Sequence, residues 1–200
     1  MKIAIISTGT VASTLIPKLR DMILSQGHSV TLVPTEKSWH FFPKEPVNTF
    51  TRNDNKSLVF LDSLSFKIVE EKEEWPDQGY QKSDKIPHIE IAKENDLLLI
   101  IASADFMSKM VNGSCNDLPS SLYRAWDRSK PVLLTPAMNT HMWDHPVTKE
   151  HTDKLEQWGV TIIPPIENAA ADRAKAVFVP NSRRVMTGSK TFSAAKTIIS

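Results

Sequence analysis

The sequence predicts an α/β fold in which helices cover a doubly wound parallel sheet. Several apolar runs are rich in β-branched residues and lack polar alternation, which is typical of strands buried on both faces. The clearest of these runs is DLLLIIAS, Asp96 to Ser103. The runs alternate along the chain with segments whose apolar residues have helical spacing, as they do in βαβ units.

The chain opens with one such unit. KIAIIS, Lys2 to Ser7, predicts a buried strand, and TGT turns the chain after it. Apolar residues recur at helical spacing from Val11 to Gln26, and Gly27 is placed to end that helix. HSVTLVPT, residues 28–35, predicts the second strand. A strand, a glycine turn, a helix and a strand in this order begin a doubly wound sheet.

The middle of the chain has a less regular pattern. Phe42 to Phe66 is polar at its centre and then apolar, and we interpret it as a loop that can include a short helix. Lys67 to Glu71 can form a strand, and a charged loop covers residues 71–85. PHIEIAKEN, residues 87–95, predicts a short helix that leads into the strand Asp96 to Ser103.

The second half continues the alternation. Helices are predicted at Met107 to Asn112, Ser120 to Asp127, 148–158 and 190–200, and strands at 131–137 and 160–165. Gly159 is placed to end the third of these helices. Because no repeat or interdomain linker interrupts the pattern, we expect a single domain over residues 1–200.

Composition excludes several classes of protein. The net charge is +1 and no basic stripe is present, so no nucleic-acid partner is expected. A single cysteine, Cys115, excludes an intrachain disulfide and a cysteine zinc site, so no metal is predicted. The first apolar run is too short for a signal peptide or a membrane span. We therefore expect a cytoplasmic protein without a membrane partner.

Three segments place polar side chains at the predicted carboxyl ends of strands or beside one. STGTVAST, residues 7–14, can hold a phosphate at a helix N-terminus, and it can equally be a plain strand-to-helix turn, since it lacks the G-x-G-x-x-G spacing. Thr35 and Ser38 can bind a ligand or form a turn with a helix cap. His88 can act as a base or hydrogen-bond donor, or it can be structural.

A fourth segment, TPAMNTHMWDHP, spans Thr135 to Pro146 and places an amide and two thioethers straight after a strand. It can cap a helix or hold a ligand. Its core, PAMNTHMW, resembles the P-x-M-N-x-x-M-W/Y signature of the homo-oligomeric flavin-containing cysteine decarboxylases. That family includes phosphopantothenoylcysteine decarboxylases and the halotolerance proteins. HIEI also resembles the family's catalytic histidine segment, and STGTVAS and VPTEKSWHF resemble its two phosphate loops. The resemblance runs from about Lys2 to Pro165.

The resemblance implies a flavodoxin-like, Rossmann-type sheet in a three-layer α/β/α domain, assembled as a homotrimer or a trimer-based dodecamer with FMN at a subunit interface. It makes His88 the catalytic histidine, and Asn139, with Met142, the holder of the substrate carboxylate. The residues it places beside FMN are Gly9, Thr10, Val11, Thr35, Ser38, Ser103, Ala104, Ala137 and Met138. The implied reaction is FMN-dependent decarboxylation of 4′-phosphopantothenoyl-cysteine to 4′-phosphopantetheine in coenzyme A biosynthesis.

Two departures from the family pattern matter. Where the eukaryotic decarboxylases have P-L-S-A-N-T after the fourth strand, this chain has ASADFM, which puts the carboxylate of Asp105 near the expected flavin. The family also has a flap cysteine that donates a proton when reduced flavin returns its electrons, and residues 167–188 contain no cysteine. Cys115 belongs to a different segment, and we interpret it as a buried structural thiol.

These departures leave several functions open. The chain can be a decarboxylase, or one subunit of a hetero-oligomer in which a paralogous chain supplies the cysteine. It can also be an oxidative decarboxylase that stops at the enethiol. The alternative is a non-catalytic FMN-binding or regulatory paralog of the phosphatase-inhibitor type. The retained His88 favours catalysis, because a pure binding protein has no need of it.

Overall fold

A computed structural model describes residues 1–43, 50–52, 58–60, 65–77, 79, 81 and 84–164. The strands are β1 (Lys2–Ser7), β2 (Ser29–Pro34), β3 (Phe50–Arg52), β4 (Leu58–Phe60), β5 (Phe66–Ile68), β6 (Leu97–Ala102), β7 (Val132–Pro136) and β8 (Thr161–Ile162). The α-helices are α1 (Ile16–Ser25), α2 (Glu71–Glu74), α3 (Pro87–Glu94), α4 (Ala104–Asn112), α5 (Leu118–Ala125), α6 (Thr140–Trp143) and α7 (Pro146–Gln157). Within these ranges no helix is both long and apolar enough to cross a membrane.

Six strands form one parallel sheet in the order β5-β2-β1-β6-β7-β8. The central strand β1 pairs Ile6 with Val33 of β2 on one side and with Ile100 of β6 on the other. The chain builds outward from β1 in one direction and then returns to build outward from β6 in the other. Such a reversal opens a crevice at the carboxyl ends of the two strands, and ligands of doubly wound folds bind there. The predicted fold class is confirmed.

Most predicted elements are present, and two helices end at the glycines that were predicted to end them. Gly27 and Gly159 have φ of 79° and 86°, the left-handed conformation in which a helix commonly ends. The helix predicted to begin at Val11 instead opens with a 3₁₀ segment, Val11–Leu15, before α1. The reason is Pro17, which has no N–H to donate to the carbonyl four residues earlier.

The middle of the chain differs from expectation. Within Phe42 to Phe66 the described residues contain the antiparallel pair β3 and β4, where we predicted a loop with a short helix. The predicted charged loop begins with helix α2, because Glu70 and Glu73 form a reciprocal capping box at its start. The helix predicted at 190–200 lies outside the described residues.

Two apolar clusters hold the helices against the sheet. On one face α1 packs through Ile16 and Ile23 against the inner strands. The other face is covered by α3, α4, α5 and α7, whose buried side chains include Ile91, Ala92, Phe106, Met107, Met110, Leu118, Leu122 and Leu155. Apolar burial on this scale is the main free energy that offsets the conformational entropy of the chain. Helices thus lie on both faces, as a three-layer α/β/α arrangement requires.

Helix α3 is fixed at its C-terminal end by a lysine from another part of the chain. The ammonium of Lys130 donates to the carbonyl oxygens of Ala92, Lys93 and Asn95 at 2.9, 3.1 and 2.9 Å. These contacts use its three N–H groups and place a positive charge at the negative end of the helix dipole. Because α3 leads directly into the amino end of β6, its own N-terminus lies toward the carboxyl ends of the strands.

Asp117 joins two helices of the same face. Its carboxylate caps α5 by accepting from the N–H of Ser120 at 2.8 Å, and it accepts from the ammonium of Lys109 on α4 at 2.6 Å. Burial raises the pKa of Asp117, but the hydrogen bonds from Lys109 and Ser120 outweigh it, so the pKa lies below its usual value.

We expect Asp117→Ala to lower the free energy of unfolding by about 1–2 kcal/mol at neutral pH, because it removes a cap and an ion pair. Since the folded-state pKa is depressed, this stabilisation is complete above the unfolded pKa of about 3.9 and is lost as the pH falls further. Urea unfolding of wild type and variant between pH 7 and pH 2.5 measures it.

The matched control is Asp153→Ala, which removes an exposed carboxylate paired with Lys149 one helical turn away. We expect its effect to stay below about 0.5 kcal/mol. Equal effects of the two substitutions, or an Asp117 effect that grows in acid, would contradict the assignment.

Candidate functional site

The segments that carry the predicted site residues begin at one edge of the sheet. The parallel register pairs Ser7 with Pro34 and with Ile101, and Ala102 with Pro136, so four neighbouring strands end level with one another. We call this the carboxyl edge. Residues after β1, β2, β6 and β7 therefore meet there, although they are separated by up to about two thirds of the sequence.

Thr8 connects the ends of β1 and β6 at the centre of this edge. Its N–H and its hydroxyl both donate to the carbonyl of Ile101, at 3.2 and 2.9 Å. The same hydroxyl accepts from the N–H of Ser103 at 2.8 Å. Thr8 thus joins the end of β1 to the turn that follows β6. Our sequence interpretation passed over Thr8, because nothing in a hydroxyl-rich turn distinguishes the hydroxyl that bridges two strands.

Further hydroxyls shape the turn after β1. The hydroxyl of Ser13 donates to the carbonyl of Thr8 at 2.6 Å, and it accepts from the hydroxyl of Ser7 at 2.9 Å. The N–H of Thr10 donates to the carbonyl of Thr8 at 2.7 Å. Gly9, Thr10 and Val11 therefore lie in a turn whose conformation is set by buried hydrogen bonds, with the side chain of Val11 exposed.

The segment after β2 lies directly against this turn. The N–H of Thr35 donates to the carbonyl of Ser7 at 2.8 Å. A Cβ atom built on Gly9 would lie 2.7 Å from the Cβ of Lys37, closer than real side chains approach. Glycine is thus required at position 9 by the approach of the second segment, and both predicted phosphate loops belong to one surface.

Two hydroxyls in this segment are left without a partner. Thr35 is the N-cap of the 3₁₀ segment Glu36–His40, yet its side chain makes no capping hydrogen bond, so the alternative of a plain cap is wrong for Thr35. Among the described residues, the buried hydroxyls of Thr35 and Ser38 have no hydrogen-bond partner. Buried polar groups are rarely left unsatisfied, so this pair fits a bound acceptor such as a phosphate oxygen.

The turn after β6 opens α4. The hydroxyl of Ser103 accepts from the N–H of Phe106 at 3.2 Å and so caps the helix, with Ala104 as its first residue. Asp105 is exposed in the first helical turn, where the helix dipole favours a negative charge. Its carboxylate therefore has a structural role at the carboxyl edge in addition to the charge that it brings there.

In the segment after β7, Asn139 caps a helix and still has a donor group available for a ligand. The side-chain oxygen of Asn139 accepts from the N–H of Met142 at 2.8 Å, which caps α6. The side-chain NH₂ group faces away from that bond and makes no hydrogen bond within the described ranges. Asn139 is exposed, so it can cap the helix and still donate to a ligand such as a carboxylate.

The surroundings of Asn139 are well anchored. The N–H of Ala137 donates to the carbonyl of Ala102 at 2.8 Å, which ties the segment to the end of β6. Met138 packs against the core, and the hydroxyl of Thr148 donates a hydrogen bond to the carbonyl of Met142 at 2.6 Å. The side chain of Met142 is 45% exposed and offers an apolar surface next to the amide.

His88 lies at the start of α3 and is paired with a buried carboxylate. Its Nδ1 is 2.5 Å from Oε1 of Glu74, and its backbone N–H donates to Oε2 at 3.1 Å. The side chain of Glu74 is 4% exposed and that of His88 is 23% exposed. Our sequence interpretation missed Glu74, because EKEE reads as a solvated charge run until α2 and α3 are brought together.

A second glutamate anchors the short helix that carries Glu74. The carboxylate of Glu71 accepts from the N–H of Leu118, the first residue of α5, at 2.7 Å. Burial raises the pKa of Glu71, and the nearby carboxylates of Asp117 and Glu74 add to the rise, although the Leu118 N–H opposes it. Helix α2 is thereby fastened to the helical layer on the same face as α3.

Cys115 does not have the predicted environment. It is exposed, with its thiol 3.7 Å from the carbonyl of Gly113, so the interpretation as a buried structural thiol is wrong. Gly113 ends α4 in the left-handed conformation, φ 70°, and directs the following loop away from the core. Residues 167–188, where the family has its flap cysteine, lie outside the described residues. In the part that is described, no three His, Cys, Asp or Glu side chains are grouped to hold a metal.

Comparison with known proteins agrees with these features. The family described as Flavoprotein matches residues 1–188. Phosphopantothenoylcysteine decarboxylase of Mus musculus is 33% identical over 159 residues, which are 78% of this chain and 69% of that protein. The enzyme of the same name from Arabidopsis thaliana is 39% identical over 121 residues, which are 58% of this chain and 57% of that protein.

Two solved structures are similar in fold. The FMN binding protein AtHal3 superposes with a TM-score of 0.71 at 27% identity, over 98% of this chain and 95% of that one. A cysteine-to-serine variant of PPC decarboxylase, in complex with pantothenoylaminoethenethiol, gives a TM-score of 0.70 at 27% identity over the same shares.

The close approach of Gly9 and Lys37 can be tested directly. We expect Gly9→Ala to lower the free energy of unfolding by about 1–3 kcal/mol and to weaken FMN binding, because the added Cβ forces the two loops apart. Equilibrium unfolding and a fluorescence titration with FMN measure the two effects.

The double variant Gly9→Ala/Lys37→Gly removes the opposing Cβ. The single variant Lys37→Gly measures how much the new glycine by itself changes the free energy of unfolding and FMN binding. We expect the double variant to recover part of both losses, so that the two substitutions are not additive. Strict additivity would show that the two positions do not oppose each other.

Proposed function

The chain belongs to the flavoprotein family, among its FMN-dependent cysteine decarboxylases, and we propose that it decarboxylates 4′-phosphopantothenoyl-cysteine to 4′-phosphopantetheine. The family match and the similarity to phosphopantothenoylcysteine decarboxylases confirm the predictions of family and cofactor. The observation that carries the proposal is the geometry of Asn139, whose oxygen is occupied while its NH₂ group faces outward beside an exposed thioether. This reaction belongs to coenzyme A biosynthesis.

The carboxyl edge offers the groups that FMN requires. The turn of Gly9, Thr10 and Val11 would hold the phosphate through backbone N–H groups other than that of Thr10, together with the unpartnered hydroxyls of Thr35 and Ser38. The residues proposed to lie beside the flavin ring are Ser103, Ala104, Ala137 and Met138. The unsatisfied hydroxyls are the structural observation that favours this placement, since a phosphate oxygen would supply the acceptor that they lack.

When bound, FMN supplies a two-electron acceptor that oxidises the cysteinyl side chain of the substrate to a thioaldehyde, which makes loss of CO₂ feasible. Asn139 would orient the departing carboxylate through its NH₂ group. A neutral amide does so without the strong ground-state stabilisation that an arginine or lysine would give. Met138 and Met142 would form apolar walls that exclude water from the reacting atoms.

His88 is proposed to move the proton of the substrate. Oxidation of the cysteinyl group removes one hydride and one proton, and the imidazole is the acceptor we assign to that proton. Its partial exposure at the N-terminal end of α3 is compatible with access from the crevice. Further along α3, Glu90 is paired with Lys93, and Glu94 is paired with Lys67 of β5.

A second candidate is favoured by one sequence observation. No cysteine follows Cys115, so the chain lacks the flap residue that the family uses to complete its catalytic cycle. A paralogous partner chain can supply that residue, the reaction can stop at the enethiol, or the chain can be a regulatory, FMN-binding paralog. We further propose a cytoplasmic location, where an exposed lone cysteine stays reduced.

We expect His88→Asn to retain FMN but to lose at least about 100-fold in the rate at which substrate bleaches the flavin, because proton transfer is removed. Purified protein is titrated anaerobically with phosphopantothenoylcysteine while absorbance near the flavin maximum and CO₂ release are followed. The control is His151→Asn, on α7, which we expect to behave as wild type.

If His88→Asn loses its flavin instead, then His88 is structural and not catalytic. Wild-type protein that binds FMN but neither bleaches nor releases CO₂ would favour the regulatory candidate. If the substrate bleaches the flavin completely and the flavin then stays reduced, the reaction stops after the oxidative step because the cysteine is absent.

We also propose that the protein forms a homotrimer, with a hetero-oligomer containing a paralog as the alternative. Large apolar side chains are exposed near the carboxyl edge, including Val11, Met142 and Val147 at 44–45%. Contiguous apolar patches mark surfaces that a partner covers, and we propose that these side chains contribute to one. The proposal predicts that light scattering of the FMN-loaded protein gives three times the chain mass of 22.5 kDa. A monomer that binds FMN at full stoichiometry would refute it.

A further inference from the structure

We propose that Glu74 is the positioning residue for His88: it holds the imidazole with its proton on Nδ1 and so leaves Nε2 as the nitrogen that exchanges a proton with the substrate. The inference rests on the proposed function for its chemical consequence. The contact itself rests on the described side chains alone.

Both carboxylate oxygens of Glu74 contact His88. One oxygen of Glu74 lies 2.5 Å from Nδ1 of His88, and the other accepts the backbone N–H of the same residue at 3.1 Å. A carboxylate that accepts from the peptide N–H is oriented to accept from the ring as well. The ring nitrogen that faces it therefore carries the hydrogen, since an ionised carboxylate has nothing to donate.

Glu74 replaces a missing helix cap. The residue at the N-cap position of α3 is Ile86, whose side chain has no acceptor. Pro87 has no N–H and the N–H of Ile89 donates to the carbonyl of Ile86 at 3.1 Å, so the N–H of His88 is the one that needs a partner from outside the helix. Glu74 accepts it and places a negative charge at the positive end of the helix dipole. Its role in α3 thus fixes the carboxylate where the imidazole meets it.

Glu74 is itself held in place. Its side chain is almost fully buried, and the helix that carries it begins with the capping box of Glu70 and Glu73. Glu71, in the same short helix, is bonded to the N–H of Leu118. A carboxylate fixed by its own helix and by the neighbouring layer can orient a partner without losing side-chain freedom during the reaction.

The consequence is a defined tautomer. With its hydrogen on Nδ1, the neutral imidazole has its lone pair on Nε2, and Nε2 makes no hydrogen bond among the described residues. That lone pair is available to accept the substrate proton. When it does so, the carboxylate of Glu74 lies beside the positive charge that forms on the ring.

The test uses Glu74→Gln, which is nearly isosteric. If the amide oxygen keeps the backbone N–H of His88, then the NH₂ group faces Nδ1 and can only donate. We expect the variant to shift the hydrogen from Nδ1 to Nε2. Two-bond ¹H–¹⁵N spectra of uniformly ¹⁵N-labelled, FMN-loaded protein report which ring nitrogen is protonated, and His88→Asn identifies the signals.

The control is Glu90→Gln, which removes a carboxylate from α3 that is paired with lysines and does not touch the ring. We expect it to leave both the tautomer and the bleaching rate unchanged. In Glu74→Gln the substrate-dependent bleaching rate should fall about 10- to 100-fold, the range seen when a group that orients a histidine is removed. The FMN dissociation constant should change less than about threefold, since Glu74 lies outside the cofactor contacts proposed above.

The outcomes separate the inference from the function on which it rests. Wild-type protein with the hydrogen on Nδ1 that neither bleaches nor releases CO₂ would overturn the proposed function and the catalytic part of the inference together. Wild-type protein that bleaches, with an unchanged tautomer or an unchanged rate in Glu74→Gln, would overturn the inference and leave the function standing. If Glu74→Gln does not fold, the wild-type spectrum decides, and a hydrogen on Nε2 would refute the proposal.

Discussion

The junction between β1 and β6, bridged by Thr8, is the constraint on which the site depends. The chain builds outward from these two strands in opposite directions, so only here does a crevice open at the carboxyl edge. Three hydrogen bonds of Thr8 fix the ends of both strands relative to each other. From this fixed centre, the N–H of Thr35 reaches back to β1 and the N–H of Ala137 reaches back to β6. A hydrogen bond from a backbone N–H therefore fixes the loops after β1, β2 and β7 to a neighbouring strand.

Two side chains of the site stabilise the fold and remain available for chemistry. Asn139 caps a helix with its oxygen, and its NH₂ group makes no hydrogen bond among the described residues. Glu74 caps α3 and contacts the ring of His88. Because each side chain is positioned by a bond that the fold needs, the site is largely preorganised before a ligand arrives. A substitution here therefore affects stability and function together.

Much of this arrangement could be predicted from the sequence. The apolar runs and glycine stops predicted the sheet and most helices, because burial on both faces leaves a pattern within each short segment. The motif around Asn139 identified the family, and the strand ends predicted where Thr35 and Ser38 would lie. Cys115 was assigned wrongly, since a local sequence does not show whether a loop turns inward or outward. Glu74 was missed because a run of four charged residues looks the same whether or not one of them is buried.

The sequence by itself determined the type of most elements, the fold class and the chemistry of the residues at the strand ends. Those properties are local, and they follow from side-chain periodicity and from the motif. Only the tertiary structure decided which groups meet: Gly9 with Lys37, Thr8 with Ile101, and Glu74 with the ring of His88. Such contacts join segments as much as 93 positions apart in the sequence, and they depend on strand order and helix packing, which no short stretch of sequence encodes.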